Sequence, residues 1–167
     1  ESRSKLCEYT IRCKDGEEPI VTKLDIIKSE DSGLESKPQD FPTTNAGWDP
    51  TARIRYCWTY VVSTNSSPWM DGIQKVDMLT GRYAKIKTFG KGNYVSPPVF
   101  VAKTNATRED DGYIITNVYC SNEHRTDVVV LDAETLAIIC KISLGHHVPY
   151  HFHGEFIPKF LGNGGND

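Results

Sequence analysis

Hydrophobic and β-branched residues come in short runs along this chain, and turn residues bound each run. The runs are rich in Val, Ile, Thr and Tyr. This pattern is typical of strands joined by tight turns, so the predicted fold class is all-β. The predicted strands lie within 6–13 (LCEYTIRC), 19–26 (PIVTKLDI), 53–63 (RIRYCWTYVVS), 72–78 (GIQKVDM), 82–89 (RYAKIKTF), 98–102 (PVFVA), 112–119 (GYIITNVY), 126–132 (TDVVVLD) and 136–143 (LAIICKIS).

The segments between these runs divide into tight turns and one long loop. Segment 28–51 is polar and rich in proline, and we expect a loop there. Residues 161–167 predict a disordered tail after a domain that covers 1–160. Turns in which glycine takes a positive φ are expected at Asp15-Gly16, Asp71-Gly72, Thr80-Gly81, GKGN (90–93) and Asp111-Gly112.

A short motif recurs at the ends of three predicted strands, as Leu24-Asp25, Val76-Asp77 and Leu131-Asp132. The aspartates are separated by about 50 residues, which in an all-β chain indicates propeller blades of about four strands each. Two to three blades cannot close a ring, so we expect an incomplete part of a propeller with exposed strand edges. The first residue, Glu1, agrees with this expectation because the chain does not begin with Met.

Composition narrows the classes of function. The chain has 167 residues, of which 38% are hydrophobic and 25% charged, as expected for a globular domain. Its net charge of −3 provides no basic surface for nucleic acid. Five cysteines without CxxC spacing predict mostly buried, reduced thiols in a cytoplasmic protein. Peripheral contact with a membrane stays open as an alternative.

The segment HHVPYHFHGEF (146–156) holds four of the five histidines. Neutral imidazole is a common ligand of Zn, Fe and Cu, and in an extended segment His151 and His153 would share a face. The spacing matches no strong zinc motif, so the spacing alone favours a polar, partly exposed strand end, with a metal site as the alternative. Asp40, before Phe41-Pro42, is either a turn residue or a partner for the ring N–H of a metal-bound histidine.

Two other stretches favour structural roles. REDDG (108–112) lacks the ligand spacing of a calcium loop, which predicts a solvated turn. Tyr56, Trp58 and Tyr60 alternate along one strand face, where they line either the core, which we favour, or a pocket.

Six segments, in order, resemble the C-terminal third of the carotenoid cleavage oxygenase family. The family also contains stilbene-cleaving oxygenases and the retinal pigment epithelium isomerohydrolase. The resemblance covers about residues 5–160, and the ordered set is more specific than any single motif. The segments are DFPTTN, RIRYCWTY, DGIQKVDMLTG, SPPVFVAKTNATREDDGYI, DVVVLDAETL and HHVPYHFHGEF.

The resemblance implies a seven-bladed β-propeller with Fe(2+) on its axis, held by four histidines from different blades. His153 stands in the family's Phe-His-Gly motif and is the implied iron ligand in this chain; the other three would lie upstream of Glu1. Asp40 takes the position of a glutamate that orients a ligand histidine, and we expect it to face His153, directly or through a water. His146, His147 and His151 match no ligand position, and His124 is no credible substitute.

The implied reaction is oxidative cleavage of a C=C bond in an apolar carotenoid or apocarotenoid by dioxygen, with Tyr150 and Phe152 either lining the cavity or in the core. Pro97 departs from the family, which commonly has glutamate there. This chain alone is expected to be inactive. The alternatives are stilbene cleavage, retinoid isomerohydrolysis and a metal-free propeller module for protein interaction.

Overall fold

The computed structural model describes residues 6–25, 38–49, 53–63, 67, 69–151 and 154–158. Within these ranges the chain forms eleven strands in three sheets and no helix. Accordingly, the described ranges contain no helical segment that could cross a lipid bilayer. The predicted tail at 161–167 lies outside the described residues.

The first sheet is a two-stranded antiparallel hairpin of β1 (Cys7–Arg12) and β2 (Ile20–Asp25). Its turn contains Gly16 at φ 78°, as predicted. Four apolar side chains of the hairpin are 57–62% exposed; they are Tyr9, Ile11, Ile20 and Val21. Leu6, just before β1, packs against a small buried cluster of Cys57 and Val76 in the next sheet.

The second sheet, which we call the first blade, has four antiparallel strands in chain order. They are β3 (Gln39–Thr43), β4 (Tyr56–Val61), β5 (Gly72–Asp77) and β6 (Arg82–Thr88). Every residue of β5 is buried, because the strand lies inside the sheet and is covered on both faces.

The third sheet, the second blade, is built from β7 (Asn93–Val95), β8 (Val99–Ala102), β9 (Gly112–Cys120), β10 (Arg125–Asp132) and β11 (Ile138–Ser143). Both β7 and β8 pair with β9, at its two ends. They therefore form one inner strand interrupted at Ser96–Pro98, and the sheet is four strands wide like the first blade.

The main hydrophobic core lies between the two blades. Trp58 of β4 is fully buried, stacks on Phe100 at a centroid distance of 4.8 Å, and donates its indole N–H to the Ala133 carbonyl over 2.9 Å. Burying a large apolar side chain stabilises the fold by about 1.5–3 kcal/mol. The predicted core role of the aromatic residues on β4 is confirmed. The other buried members of this core are Tyr60, Ile73, Val95, Ile114, Val118, Cys120, Val129, Leu131, Ala133 and Leu136.

All nine predicted strands are present, but two further strands were not predicted. β3 lies inside segment 28–51, where we expected a loop. Its sequence QDFPT has no alternating pattern, and it forms a strand because it pairs with β4 and packs Phe41 against Tyr60 at 5.7 Å. β7 has only three residues, too few for a periodic signal.

Two of the glycines that we predicted to take a positive φ in turns do not take one. Gly72 and Gly112 begin β5 and β9 and do not have positive φ. A Cβ at Gly112 would lie 2.4 Å from Phe100 Cζ and 2.6 Å from the Val101 carbonyl oxygen. Glycine is needed there because the inner strand approaches closely.

The aspartate motif marks the same structural position in both blades. Asp77 ends β5 and Asp132 ends β10, each the third strand of its blade. Each carboxylate accepts backbone N–H groups of the following turn, from Leu79 at 3.0 Å and from Thr135 at 2.8 Å. The predicted repeat is confirmed for these two blades.

The acidic run 108–112 is not the solvated turn that we predicted. Glu109 accepts the backbone N–H of Tyr56 at 2.7 Å and of Arg55 at 2.9 Å, so it holds the start of β4. Asp110 is buried and pairs with Lys75 at 2.5 Å. The run joins the two blades, which local sequence could not reveal because both partners come from the other blade.

The prediction of mostly buried cysteines was wrong for part of the set. Cys57 and Cys120 are buried, Cys7 is intermediate, and Cys13 and Cys140 are exposed. Cys140 is exposed because β11 is the outermost strand of its blade, and Cys13 because it follows the last residue of the exposed hairpin strand β1. Burial, with a smaller contribution from Glu109, raises the pKa of the Cys57 thiol to about 12.

Candidate functional site

Asp40 is the second residue of β3 and lies opposite Tyr60 of β4. Its Oδ1 accepts the backbone N–H of Phe41 at 2.8 Å, and Phe41 has an unusual left-handed φ of 45°. The carboxylate therefore supports a strained point at the inner edge of the first blade. The side chain is exposed.

Tyr60 connects Asp40 with the segment that leads to residue 153. Burial, and then the nearby charge of Asp40, raise the pKa of Tyr60. Burial, and then Tyr60, raise the pKa of Tyr150 to about 12. Tyr150 donates its hydroxyl to the Val95 carbonyl over 2.7 Å. Asp40 and Tyr150 therefore each lie near Tyr60.

His153 and Phe152 lie outside the described residues, so contact between Asp40 and His153 remains a prediction. The residues that flank them are described. The Nε2 of His151 lies 2.8 Å from the side-chain nitrogen of Asn117 on β9. At Gly154 a Cβ would lie 3.8 Å from Val99 Cγ2. Both flanks therefore lie against the inner half of the second blade.

The remaining histidines lie elsewhere. The Nδ1 of His124 is 2.8 Å from the Tyr119 hydroxyl, and its ring stacks on His147 with centroids 4.4 Å apart. His146 is exposed, and its carbonyl accepts the N–H of Thr126. Across the described part of the chain, His, Cys, Asp and Glu nowhere form a group of three or more suited to a metal ion.

Pro97 lies in the interruption between β7 and β8. The neighbouring Ser96 exchanges hydrogen bonds with β9, donating its N–H to the Asn117 carbonyl at 2.9 Å and accepting the Thr116 hydroxyl at 2.7 Å. A cleft of about 150 Å³ opens beside it, and its lining includes Pro97, Asn117, His151 and Gly154. The cleft therefore adjoins both flanks of position 153.

Asn117 and Tyr60 are the residues of this neighbourhood that sequence reasoning missed as site components. Asn117 interrupts a row of larger side chains on the non-core face of β9, where burial alternates strictly along the strand. A polar residue at this position of the strand was a signal in the sequence that could have identified Asn117 as a site residue. For Tyr60 the core was favoured over a pocket, because nothing local indicates which groups lie at the edge of a blade.

The family follows from the sequence as a whole. A sequence model described as retinal pigment epithelial membrane protein matches residues 1–158. The chain belongs to the carotenoid cleavage oxygenase family. The resemblance identified from the six segments is thereby confirmed.

Relatives in this family have names that state carotenoid cleavage. The chain is 33% identical over 96 residues to the apocarotenoid-15,15'-oxygenase of Synechocystis sp., which covers 56% of the chain and 19% of that protein. It is 31% identical over 135 residues to the zeaxanthin 7,8(7',8')-cleavage dioxygenase of Crocus sativus, covering 75% and 36% respectively. The chain therefore matches between about a fifth and about a third of the length of these relatives.

Solved structures of the family have the same fold. An ACO/RPE65 chimera superposes with a TM-score of 0.75 at 24% identity, covering 92% of this chain and 30% of the chimera. Cobalt-substituted Synechocystis ACO superposes with a TM-score of 0.68 at 25% identity, covering 80% and 26%. These neighbours are β-propellers, so the prediction of an all-β, partial propeller is confirmed.

Proposed function

We propose that this chain is the C-terminal part of a non-haem Fe(II) dioxygenase that cleaves a C=C bond of a carotenoid or apocarotenoid. The observation that carries the proposal is the similarity of 75% of the chain to a zeaxanthin-cleaving dioxygenase. The substrate of that relative is not carried over to this chain. For this chain we propose only a class of substrate, the apolar polyenes.

Iron is part of the proposal because of the family's chemistry and the surroundings of His153. A relative accepts cobalt as a substituted metal, which supports a metal site in the family. Imidazole nitrogen suits iron, and the described flanks of His153 lie against β8 and β9, the half of a blade nearer the central channel of a propeller. The chain would therefore supply one ligand, His153, and three histidines would come from elsewhere in the protein.

Bound iron would supply the activation of dioxygen. The chain's own residues would hold that centre. His153 would donate one ring nitrogen, and Asp40 would accept the N–H of the other, directly or through a water. Trp69 and Tyr150, with centroids 6.1 Å apart, would present aromatic surface to an apolar polyene near Asp40. With one of four ligands, residues 1–167 alone would be inactive.

The deciding experiment compares His153→Ala with His147→Ala in the full-length protein. The second variant is the matched control, because His147 is exposed and stacks on His124. We expect His153→Ala to lose iron and cleavage activity and His147→Ala to keep both. Iron is measured by elemental analysis, and aldehyde products by chromatography, from carotenoid, apocarotenoid and stilbene substrates.

Asp40→Asn tests the role of the carboxylate in the same assays. The amide oxygen can still accept the N–H of Phe41, but the charge is lost. Removal of a partner behind a metal ligand lowers metal affinity by about 10–100-fold, and we expect that range. Asp15→Asn, in the exposed hairpin turn, should leave metal affinity unchanged.

Retention of iron by His153→Ala would contradict the proposal. Cleavage of stilbene substrates alone would replace carotenoids with stilbenes as the proposed class of substrate.

A further inference from the structure

Two consecutive residues just before position 153 are hydrogen-bonded to the second blade at different points. Tyr150 donates to the Val95 carbonyl of β7 at 2.7 Å and lies beside Trp69 of the first blade. His151 meets the Asn117 side chain of β9 at 2.8 Å. Core residues Ile114 and Val118 occupy one face of β9, and Asn117 lies on the other. The chain thus has two attachments to the inner half of the blade, one at β7 and one at β9.

The Asn117 end of this attachment is rigid. β9 is an interior strand, paired with β10 from residue 113 to residue 120, with Asn117 opposite Val128. On the inner side, the Asn117 carbonyl accepts the N–H of Ser96 at 2.9 Å. A side chain on a backbone bonded on both sides has little freedom to follow its partner. If the two residues move relative to each other, the segment that carries His151 is therefore the part that moves.

The hydrogen bond links the His151 ring directly to β9. The amide nitrogen of Asn117 is the donor and Nε2 of His151 is the acceptor. Asn117, Pro97 and Gly154 line the adjacent cleft together with His151. The imidazole therefore links β9 to the segment that reaches position 153 two residues later.

We propose that the Asn117–His151 hydrogen bond is a positioning pair that fixes the chain leading to the metal ligand His153. The inference rests on the proposed function, since it assumes that His153 binds the metal. The pair touches neither metal nor substrate. It would act by restricting where the His153 backbone can lie, and so would set the affinity and geometry of the metal site.

The test uses the full-length protein, depleted of metal and titrated with Co(II), whose visible absorption reports coordination geometry. Asn117→Ala removes the bond from the strand side, and His151→Ala removes it from the segment side without altering the sheet. Asn117→Asp replaces the amide donor with a carboxylate acceptor, to which the imidazole can donate from Nε2 in its other neutral tautomer. Tyr119→Phe is the matched control, because it removes a hydroxyl–imidazole bond from the same face of the same strand.

We expect both alanine variants to bind Co(II) about tenfold more weakly with an altered spectrum, as is typical when an outer partner is lost. The double variant should be no weaker than either single one, since both remove the same bond. Asn117→Asp should restore affinity to within about twofold, and Tyr119→Phe should match the wild type.

Unchanged affinity and spectrum in both alanine variants would overturn the proposal. So would additive losses in the double variant, or an equal loss in Tyr119→Phe. His153→Ala, measured alongside, separates the two hypotheses. If it too binds Co(II) normally, the proposed metal site fails; if it alone loses Co(II), only the positioning pair fails.

Discussion

Leu136 and Gly81 occupy the same point of the repeated turn. Each lies four residues after the aspartate that ends its strand, has a left-handed φ of 56° or 67°, and donates its N–H to the carbonyl of that aspartate. Glycine takes this conformation freely, whereas for other residues it costs about 1–2 kcal/mol. Leu136 is 3% exposed and belongs to the core between the blades, which offsets the cost.

Substitutions at position 136 should separate strain from packing. Leu136→Ala keeps the strain and loses the packing, so we expect a loss of about 2–5 kcal/mol in unfolding free energy. Leu136→Gly should be about 1 kcal/mol more stable than the alanine variant, because it relieves the strain. Gly81→Ala, the control in the other blade, should cost about 1–2 kcal/mol. Urea unfolding measures all three. Equal stability of the two variants at 136 would exclude backbone strain.

At the scale of elements, the turn after β5 has an electrostatic anchor. Arg55 donates two hydrogen bonds to Asp77 Oδ2, at 3.1 and 2.8 Å. Burial alone would raise the pKa of Asp77, but the bonds from Arg55 and from the Thr80 and Leu79 backbone hold that pKa below its ordinary value. A carboxyl with a lowered folded-state pKa stabilises the fold above its unfolded value and loses that contribution as pH falls.

Asp77→Asn should therefore reduce the dependence of stability on acid pH. The wild type loses stability as pH drops below about 4, where the unfolded carboxyl takes up a proton first. The variant, which cannot ionise, should be less stable at pH 7 and show a shallower decline below pH 4. Urea unfolding from pH 7 to pH 3 measures the slope. Asp15→Asn, in the hairpin turn, is the comparison, and an unchanged slope in Asp77→Asn would contradict the assignment.

A buried ion pair joins the two blades. Lys75 of β5 and Asp110, in the turn before β9, are 2.5 Å apart, with side chains 4% and 10% exposed. The Lys75 ammonium also lies 4.1 Å from the centre of the Tyr56 ring. Removing one partner of such a pair leaves the other charge buried and costs about 3–5 kcal/mol.

Asp110→Ala and Lys75→Met should each cost about that amount in the unfolding free energy of the full-length protein. The pair Lys75→Met with Asp110→Ala should be more stable than either single variant, because no unpaired charge remains. A double-mutant cycle by urea unfolding measures the coupling. Additive losses would mean that the two charges do not stabilise each other.

At the scale of the whole molecule, apolar strand faces remain exposed at the two outer sheets. Ile138, Ile139 and Ile142 of β11 are 46–53% exposed, and four apolar side chains of the β1–β2 hairpin are 57–62% exposed. Exposed edge strands with apolar side chains favour association with other chains. In a complete propeller, neighbouring blades would cover such faces.

Residues 1–167 expressed alone should therefore self-associate, and should retain no more iron than the full-length His153→Ala variant. Replacing Ile139 and Ile142 with lysine should reduce the association without loss of β-structure, because both side chains are exposed. Leu79→Lys, in a turn and 53% exposed, is the control and should have no effect. Light scattering and circular dichroism report the two properties. A monomeric, iron-retaining chain would contradict the prediction.

The sequence by itself determined the all-β class, the blade repeat and nine of the eleven strands in the described residues, because alternation, turn residues and the aspartate at the end of a strand are local signals. It also indicated the family, through the order of six segments. Only the tertiary structure decided that QDFPT is a strand, that Asp110 is buried against Lys75, and that Asn117 meets His151. The pairing of β3 with β4 joins residues 15 to 22 positions apart, and the two side-chain contacts join residues 34 and 35 positions apart. No local pattern encodes which distant partner will satisfy a polar group.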